Sequence, residues 1–367
     1  MHPYSELLQL AKCSSEYVAL DHSLSLETRS TKSVCPPNHE KFPEMEHISS
    51  KIFCSYNAKY LLEMACGNIP SPTSTLSSLQ LGSNKKYKFQ FGSSIIKRDD
   101  KLESEDAIFA SDYAIGLADG VGGWNDYGIS SADFAKTLMS KCKAIFIDHE
   151  SSLEDDIDPI RVLSQAFNSI NVFGSSTAVL CSSENGHLTC SNIGDSGFLH
   201  VKFMNEKPFI VQKSTPQQHD FNVPFQLSKI PSMEYIQSLS DKGDYISKKL
   251  YSKLSDSIFC QDLPSQSDYY QINSLSKGDL IILASDGVLD NLYDSEILSL
   301  ISKNYSKNGS INPNKLSESI TKLAYEKSKQ QTGTRSPFND KLEETSDIVC
   351  DAGKEDDISV IVGVLGW

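Results

Sequence analysis

The order of apolar runs along this 367-residue chain predicts an α+β protein, in which antiparallel β-sheets form a central sandwich with helices on its outer faces. Predicted strands mostly follow one another directly, as they do within residues 176–202, and this order favours hairpins over parallel crossovers. Predicted helices come in separate groups, so we expect them to cover the sheets rather than connect parallel strands. A helix-covered sandwich is the most economical arrangement of these elements.

The strands are predicted from short runs in which apolar residues alternate with small or polar ones. These runs are Tyr113–Leu117, Ser176–Cys181, His187–Ile193, Phe198–Lys202, Leu280–Ala284 and Ile358–Val364. Helices are predicted where apolar residues recur three and four positions apart. They lie near Ala135–Phe146, Ile160–Ile170, Asp294–Ile301 and Leu316–Lys327.

An N-terminal extension over residues 1–86 is predicted to precede a folded domain over residues 87–367. Ser, Pro and Asn punctuate the first part, its apolar residues are sparse, and Asn68–Ser74 has the composition of a linker. Ile52–Met64 is the stretch there that favours a short helix. We therefore expect the extension to be partly disordered or a linker. The extension and the insertion Ser228–Ser267 are candidates for recruiting partners, but we favour the interpretation that they are tolerated loops.

Composition and charge exclude several classes of function. No apolar run approaches the roughly 20 residues that cross a bilayer, so we expect no membrane span. The formal net charge of −14 argues against a nucleic-acid partner, because phosphate backbones are bound by basic faces. The nine cysteines include no C-x-x-C pair, which argues against a zinc knuckle or a dithiol motif, and their odd number favours a reducing compartment.

Acidic residues recur where the predicted strands begin or end. Asp119 and Asp286 each follow an apolar strand and precede a glycine, in Ala118-Asp119-Gly120 and Ser285-Asp286-Gly287. Further acidic residues at strand junctions are Glu105, Asp106, Asp195, Asp356 and Asp357. A single Asp-Gly is usually a hairpin turn or a cap. The repetition of this placement predicts instead that the carboxylates form one cluster.

A carboxylate cluster in a cleft calls for cations, because like charges raise one another's pKa and cost stability unless they are neutralised. Oxygen ligands with few histidines nearby favour Mg²⁺ or Mn²⁺ over zinc. Two such ions, about 3.5–4 Å apart, can share a hydroxide that attacks phosphorus in line. The cluster therefore predicts a two-ion hydrolase.

A series of segments together resembles, in chain order, the motifs of type 2C metal-dependent protein phosphatases. The segments are Ser104–Ala107, Ala118–Trp124, Gly174–Ala178, Gly194–Phe198, Ser285–Gly287 and Asp356–Val360. Trp124–Gly128 and Gln217–Leu227 are similar to the branch typified by the mitochondrial matrix phosphatases. The resemblance covers residues 87–367, which would then be the catalytic domain. It implies a four-layer fold of two antiparallel sheets flanked by helix pairs.

The resemblance implies a role for most of the acidic positions. Asp119 would bridge both ions, and Gly120 would offer its carbonyl to them. Asp286 and Asp356 would ligate one ion, which makes Asp119, Asp286 and Asp356 the expected catalytic residues. Asp195 matches the position of a third, weaker metal in the family.

The other end of the expected site contains both acidic and basic residues. By the same resemblance, Glu105 would hold the second ion partly through water, and Asp106 would orient that shell. Where the family often has an Arg that captures phosphate, this chain has Lys101, with Arg98 close by. Lys lacks the bidentate fork of Arg, so Arg98 is the alternative phosphate ligand. A solvated basic patch is the other interpretation of these two residues.

The expected proton donor departs from the family pattern. Many family members have a His directly after the Asp-Gly pair, whereas this chain has Val121. A metal-bound water or another residue would have to protonate the leaving alkoxide. His219 is one candidate, although a single His on a loop is more often exposed or locally hydrogen-bonded.

The implied activity is that of a protein serine/threonine phosphatase, which hydrolyses phosphoserine and phosphothreonine with metal-activated water and forms no phosphoenzyme. No Cys or His nucleophile stands in an activating motif, which agrees with direct attack by water. We expect phosphoprotein substrates and a monomer. The compartment is intracellular, mitochondrial by resemblance or cytoplasmic because the acidic amino terminus does not look like an import signal.

Three alternatives belong to other classes. A regulatory or binding protein with the same fold and weak or no catalysis would be expected to lack some ligands, yet the main metal positions here are acidic. A covalent aspartyl-phosphate enzyme needs a D-x-D motif, which Asp119-Gly120-Val121 does not supply. A nucleotide-binding loop would end in Gly-Lys-Ser/Thr, which does not follow Gly123.

Overall fold

The computed structural model describes residues 87–151, 158–184, 186–256, 261–306, 308–346 and 348–366. All of them belong to one compact unit, Gly82–Trp367. The predicted extension over residues 1–86, with its linker Asn68–Ser74 and its helix Ile52–Met64, lies outside the described residues.

The described strands form two large antiparallel sheets and two short strand pairs. In chain order the strands are β1 (Lys88–Ile96), β2 (Asp106–Ala110), β3 (Ala114–Asp119), β4 (Gly174–Ser176), β5 (Ala178–Glu184), β6 (His187–Ile193), β7 (Gly197–Met204), β8 (Lys207–Lys213), β9 (Gln218–Asp220), β10 (Val223–Pro224), β11 (Leu227–Lys229), β12 (Asp268–Ile272), β13 (Leu280–Ala284) and β14 (Ile358–Gly366). One sheet has the order β1-β14-β13-β7-β8, and the other has the order β12-β6-β5-β3-β2. The short pairs are β10-β9 and β11-β4.

Helices cover the outer faces of both sheets. They are α1 (Ser131–Ser151), α2 (Pro159–Asn168), α3 (Met233–Asp241), α4 (Tyr245–Asp256), α5 (Asp286–Leu289), α6 (Asp294–Asn304), α7 (Pro313–Ser328) and α8 (Pro337–Thr345). Three of them begin at a side-chain cap followed by proline: Asp158 accepts from the backbone of Ile160 before α2, Asn312 accepts from Lys315 before α7, and Ser336 accepts from Asn339 before α8. No helix within the described ranges is long and apolar enough to cross a membrane.

The buried side chains form three layers, as a sandwich with helices on both sides requires. Between the sheets, Leu117 of β3 packs in one cluster with Leu283 of β13 and Ile361 of β14. Leu138 of α1 packs on the outer face of the second sheet, in a cluster with Leu163 of α2. Helices α6 and α7 bury their apolar faces against the first sheet. The predicted α+β sandwich of two antiparallel sheets flanked by helices is confirmed.

The predicted strands occur in the structure, but one of them is divided. The run predicted as Ser176–Cys181 is split between β4 and β5 at Thr177, whose backbone N–H donates to the carbonyl of Asp119 at 2.9 Å instead of continuing a strand. The edge strands β1 and β8 were not predicted. Each lies at an end of the first sheet with half of its residues towards solvent, so neither shows the apolar run of a central strand.

The insertion Ser228–Ser267 is more ordered than predicted. It contains α3 and α4, whose Ile236 and Leu250 are buried in one cluster with Trp124, beside the loop that follows β3. The expectation of tolerated loops is therefore wrong for this part of the insertion. Its helices were missed because their apolar residues are few and pack against residues around Trp124 that are distant in sequence.

Two of the cysteines form a disulfide that the sequence did not predict. Cys181 of β5 and Cys190 of β6 lie opposite each other in the hairpin register, and their Cα atoms are 4.3 Å apart. The odd number of cysteines pointed instead to a reducing compartment. Strand register, which cannot be inferred from a spacing of nine residues, brings this pair together.

Candidate metal centre

The predicted acidic residues meet at one end of the sandwich because strands from both sheets begin or end there. Asp106, the first residue of β2, lies directly opposite Asp119, the last residue of β3. In the other sheet, Asp286 follows β13 and Asp356 precedes β14, and these two strands are paired there through Ala284 and Val360. The topology therefore gathers carboxylates that are far apart in sequence.

These carboxylates shift one another's protonation. Asp106 is 2% exposed, and burial raises the pKa of its carboxyl to about 8, with the charges of Asp356 and Asp286 adding to the effect. Desolvation also raises the pKa of Asp119, as do the charges of Asp106 and Asp286. Desolvation and the charge of Asp286 raise the pKa of Asp356 to about 6. Such mutual destabilisation of ionised groups is expected where acids share a cleft that is built for cations.

Several carboxylate oxygens of this cluster lack a well-formed hydrogen bond from the described residues. Neither oxygen of Asp106 accepts a well-formed hydrogen bond from the described residues, although the Ser359 hydroxyl is close enough to lower the pKa of this carboxyl, and Oδ1 of Asp286 likewise accepts none. A buried carboxylate oxygen without a donor is costly. These oxygens of Asp106 and Asp286 are therefore suited to bind a cation.

Glu105 is buried beside the cluster and held in a defined orientation. Its Oε1 accepts from the hydroxyl of Ser131 at 2.7 Å and from Nδ2 of Asn125. Its backbone carbonyl accepts from the N–H of Gly120 at 3.2 Å. A Cβ atom on Gly120 would lie 2.8 Å from that carbonyl and 2.7 Å from the carbonyl of Ser131. Only glycine fits this close approach between the turn and its neighbours.

Asp195 lies in the turn between β6 and β7 and is 6% exposed. Its Oδ2 accepts from Nε2 of Gln218 at 2.9 Å. Burial raises the pKa of Asp195 to about 7, and the charge of Asp286 contributes in the same direction. Asp195 therefore belongs electrostatically to the cluster. Gln218, in a stretch to which the sequence assigned no chemical role, orients its carboxylate.

Two residues that the sequence analysis did not include complete the cluster. The Lys354 ammonium is 2.6 Å from Oδ2 of Asp286, 2.6 Å from Oδ2 of Asp290 and 3.8 Å from Oδ2 of Asp356. Although desolvation opposes it, the attraction of Asp286 and Asp290 raises the pKa of Lys354, so this side chain is a permanent cation. Their positions in the sequence could have indicated this, because Asp290 is four residues after Asp286 and Lys354 is two residues before Asp356.

The two candidate phosphate ligands already contact carboxylates. The Lys101 ammonium lies 2.9 Å from Oδ2 of Asp357 and also contacts Glu105. The Arg98 guanidinium makes two hydrogen bonds to Asp100, at 2.6 and 3.1 Å. Phosphate would have to compete with these carboxylates for either cation.

Asp357 supports the loop that carries these cations. Its Oδ1 accepts from the backbone N–H of Arg98 at 2.7 Å, and its Oδ2 accepts from the backbone N–H of Glu105 at 2.8 Å. The side chain is 2% exposed, so its charge is balanced mainly by these donors and by Lys101. Asp357 thus fixes Glu105 relative to the start of β14.

His219 has a local structural environment. Its Nε2 is 2.9 and 3.0 Å from the two oxygens of Asp262, and its ring stacks on Phe225 with centroids 4.0 Å apart. Its neighbour Gln218 contacts Asp195, and successive side chains of a strand point to opposite faces. These contacts agree with the interpretation of His219 as a locally hydrogen-bonded residue.

Within the described ranges, no three carboxylate, imidazole or thiol groups already surround one point as the ligands of an ion would. The ammonium groups of Lys354 and Lys101 stand among the carboxylates instead. The donor set nevertheless fits a hard divalent cation, because it consists of carboxylate oxygens and includes the orphaned oxygens of Asp106 and Asp286.

Comparison with known proteins finds relatives whose sequences align with most of the described chain. The Drosophila willistoni protein phosphatase PTC7 homolog fig is 31% identical over 279 residues, which are 73% of this chain and 79% of that protein. Probable protein phosphatase 2C 71 of Oryza sativa subsp. japonica is 32% identical over 277 residues, which are 75% of this chain. The chain spans about half the length of several plant relatives that it matches.

The fold has a solved counterpart. The X-ray structure of the photosystem II phosphatase PBCP aligns with a TM-score of 0.60 at 24% identity, over 76% of this chain and 99% of that chain. No family model matches the sequence. The fruit-fly relative is nonetheless matched over most of its own length, and the acidic motifs stand in the expected order at one end of the expected sandwich. The chain therefore belongs to the type 2C family of protein phosphatases, in the branch of the PTC7 homologues.

Proposed function

We propose that this chain is a metal-dependent phosphatase that removes phosphate from phosphoserine and phosphothreonine in proteins. The proposal rests on the convergence of Asp106, Asp119, Asp286 and Asp356 at one end of the sandwich, with carboxylate oxygens that lack a well-formed hydrogen bond from the described residues. The names of the relatives, which are protein phosphatases, support the same activity.

The carboxylates would hold two ions of Mg²⁺ or Mn²⁺. Asp119 would lie between the ions with the carbonyl of Gly120, and Asp286 and Asp356 would bind at one end. Glu105 would bind at the other end, with Asp106 orienting its surroundings. Asp195 would hold a third ion more weakly. When bound, such ions supply a nucleophilic water at neutral pH and neutralise charge on the phosphoryl oxygens.

The protein's own contribution is to fix these groups before substrate arrives. Ser131 and Asn125 hold the side chain of Glu105, and Asp357 holds its backbone. Because these contacts exist without substrate, the carboxylates need little rearrangement during catalysis. Asp119, Asp286 and Asp356 are therefore the residues on which we expect hydrolysis to depend most.

Arg98 is the better candidate of the two for binding the substrate phosphate. Its partner Asp100 is 66% exposed, so exchange of that carboxylate for a phosphate leaves no buried charge unpaired. Lys101 would have to leave Glu105 and Asp357, which are both buried. Arg98 also presents the planar fork that suits phosphate.

Val121 cannot donate a proton to the leaving alkoxide, and the described contacts of His219 are local. The proton would therefore come from water or another residue. We further propose phosphoproteins as partners, a monomeric state and a mitochondrial location, which the PTC7 relatives support. The cytoplasm is the alternative location, and microscopy of a fluorescent fusion would distinguish the two.

A second candidate function is a regulatory protein with the phosphatase fold and little catalysis. Lys354 and Lys101 favour it, because their ammonium groups already neutralise part of the cluster and could maintain the fold without ions. Peptides carrying phosphoserine, phosphothreonine or phosphotyrosine, assayed with Mn²⁺, would test the choice. The proposed function predicts release of phosphate from the first two. A folded, Mn²⁺-binding protein that releases none would support the regulatory alternative.

A further inference from the structure

Lys354 is a cation placed within a cluster that we propose to hold cations. Its side chain is 12% exposed, and its ammonium contacts Asp286 and Asp290 at 2.6 Å each. Asp286 is a proposed metal ligand, whereas Asp290 has no role in the proposed ion binding. A lysine that joins the two therefore links the metal centre to the residue that follows the short helix α5.

The backbone around Lys354 is fixed, so the Cα atom from which its side chain extends is held beside the cluster. Asn291, which is fully buried, accepts from the N–H of Lys354 at 3.0 Å and donates to its carbonyl at 2.9 Å. The preceding Gly353 donates its N–H to the carbonyl of Gln330 at 2.8 Å. A Cβ on Gly353 would lie 2.0 Å from the carbonyl of Lys327, which requires glycine there.

Lys354 contacts one oxygen of Asp286 and leaves the other without a contact to the ammonium. Oδ2 is held by the ammonium, while Oδ1 has no donor among the described residues. The carboxylate is thus oriented with one oxygen left for an ion. The same positive charge is 3.8 Å from Oδ2 of Asp356, so it must repel any ion that these two aspartates share.

The other end of the cluster differs. Both oxygens of Asp106 lack a well-formed hydrogen bond from the described residues, and no contact of Lys354 with Asp106 or Asp119 is among the described ion pairs. Lys101 contacts Glu105 and Asp357 at this end, but no described ion pair joins it to Asp106 or Asp119. An ion between these two aspartates would therefore meet carboxylates that no lysine contacts among the described residues. An ion near Asp286 and Asp356 would meet carboxylates whose negative charge is already partly balanced by Lys354.

We propose that Lys354 is a positioning residue of the metal centre, which presents Oδ1 of Asp286 to an ion and makes binding at the Asp286–Asp356 end weaker than at the Asp106–Asp119 end. The inference rests on the proposed metal-dependent function. Under this proposal Lys354 controls how readily an ion binds at each end of the cluster. The Asp106–Asp119 end would therefore fill at a lower Mn²⁺ concentration than the Asp286–Asp356 end.

The test is a titration of the metal-free full chain with Mn²⁺, in which the EPR signal of free Mn²⁺ reports binding independently of activity. Apart from the weak third site proposed at Asp195, the wild-type protein should show two classes of site, one at each end of the cluster, whose dissociation constants differ by about tenfold or more. Lys354→Met should tighten the weaker class by about tenfold, because a similar volume remains and the charge is gone. Lys354→Arg keeps the charge and should keep the weak class.

Lys341→Met is the matched control, because Lys341 also approaches Asp290, at 3.7 Å, but none of the proposed ligands, and its side chain is 40% exposed. It should leave both classes unchanged. Equal wild-type sites, or a Lys354→Met protein with an unchanged or weakened second class, would overturn the inference. If Lys354→Met does not fold, the wild-type titration and the Lys354→Arg titration still test the inference, because both should show the weaker class of site.

The proposed function and the inference fail in different ways. A wild-type protein that binds no Mn²⁺ at all would contradict the proposed metal centre and the inference with it. A protein that needs Mn²⁺ for hydrolysis but has two equal sites, unaffected by Lys354→Met, would contradict only the role of Lys354.

Discussion

Asp106 and Asp119 lie directly opposite each other on neighbouring antiparallel strands, and each raises the cost of ionising the other. Directly opposed like charges destabilise a sheet. No lysine contacts either aspartate among the described ion pairs, which supports the proposed binding of cations at this point.

Asp119→Asn should abolish hydrolysis while leaving the metal-free protein as stable as the wild type or more stable. The substitution removes a proposed ligand of both ions, and with it the repulsion between positions 106 and 119. We expect phosphatase activity to fall by about 100-fold or more. Thermal unfolding in EDTA measures the stability of the metal-free protein. Asp126→Asn, at an exposed position in the following turn, should change neither quantity.

The metal-free protein should lose stability as pH rises from about 4 to about 8. The pKa values of Asp106, Asp195 and Asp356 are raised to about 8, 7 and 6. The folded protein therefore binds more protons than the unfolded chain in this range, and its free energy of unfolding must fall as those protons leave. Below about pH 4 this contribution is fully present.

Mn²⁺ should reverse that trend, because it replaces the protons that the carboxylates lose. The rise in Tm on adding Mn²⁺ should be larger at about pH 8 than at about pH 6. Differential scanning fluorimetry in EDTA and in Mn²⁺ measures both curves. A metal-free Tm that increases steadily across this range would show that the carboxylates do not repel one another as described.

Asp357→Ala should destabilise the fold, by about 2–4 kcal/mol, because it leaves the backbone N–H groups of Arg98 and Glu105 without their acceptor and removes one of the two carboxylates that contact Lys101. Chemical denaturation with fluorescence detection measures the difference. Asp112→Ala is the matched control, since it removes an exposed carboxylate paired with Lys88 and should cost less than about 1 kcal/mol. Equal effects of the two substitutions would exclude the supporting role of Asp357.

Ile236→Ala should loosen the helix pair α3–α4 from Trp124. The Ile236 side chain is buried against this indole, so its truncation should cost about 2–4 kcal/mol or unfold the pair locally. A red shift of tryptophan fluorescence before the main unfolding transition would report exposure of Trp124. Tyr245→Ala, at a position 77% exposed, should leave the emission unchanged. An unaltered spectrum and stability for Ile236→Ala would mean that the pair is held elsewhere.

The sequence predicted the parts of this molecule that depend on local patterns. Central strands such as β13 are continuous apolar runs, and the acidic residues at their ends lie next to those runs in the chain. Asp286 and Asp356 could therefore be placed together before their geometry was known. The fold class followed from the same strands and from the grouping of the helices.

The parts that were missed depend on contacts between distant segments. Lys354 acquires its place only when β14 lies beside β13, and the Cys181–Cys190 disulfide depends on the hairpin register. Helices α3 and α4 are held by Trp124, more than a hundred residues before them. Lys101 was expected to meet phosphate, and its contacts with Glu105 and Asp357 could not be inferred from its position alone.

The measurement that tests the central claim most directly is the rate of p-nitrophenyl phosphate hydrolysis by protein treated with EDTA, before and after addition of Mn²⁺ or Mg²⁺. The account predicts no hydrolysis in EDTA, recovery with either ion, and no recovery in Asp119→Asn or Asp286→Asn protein that remains folded. Hydrolysis that continues in EDTA, or that survives in both variants, would contradict it.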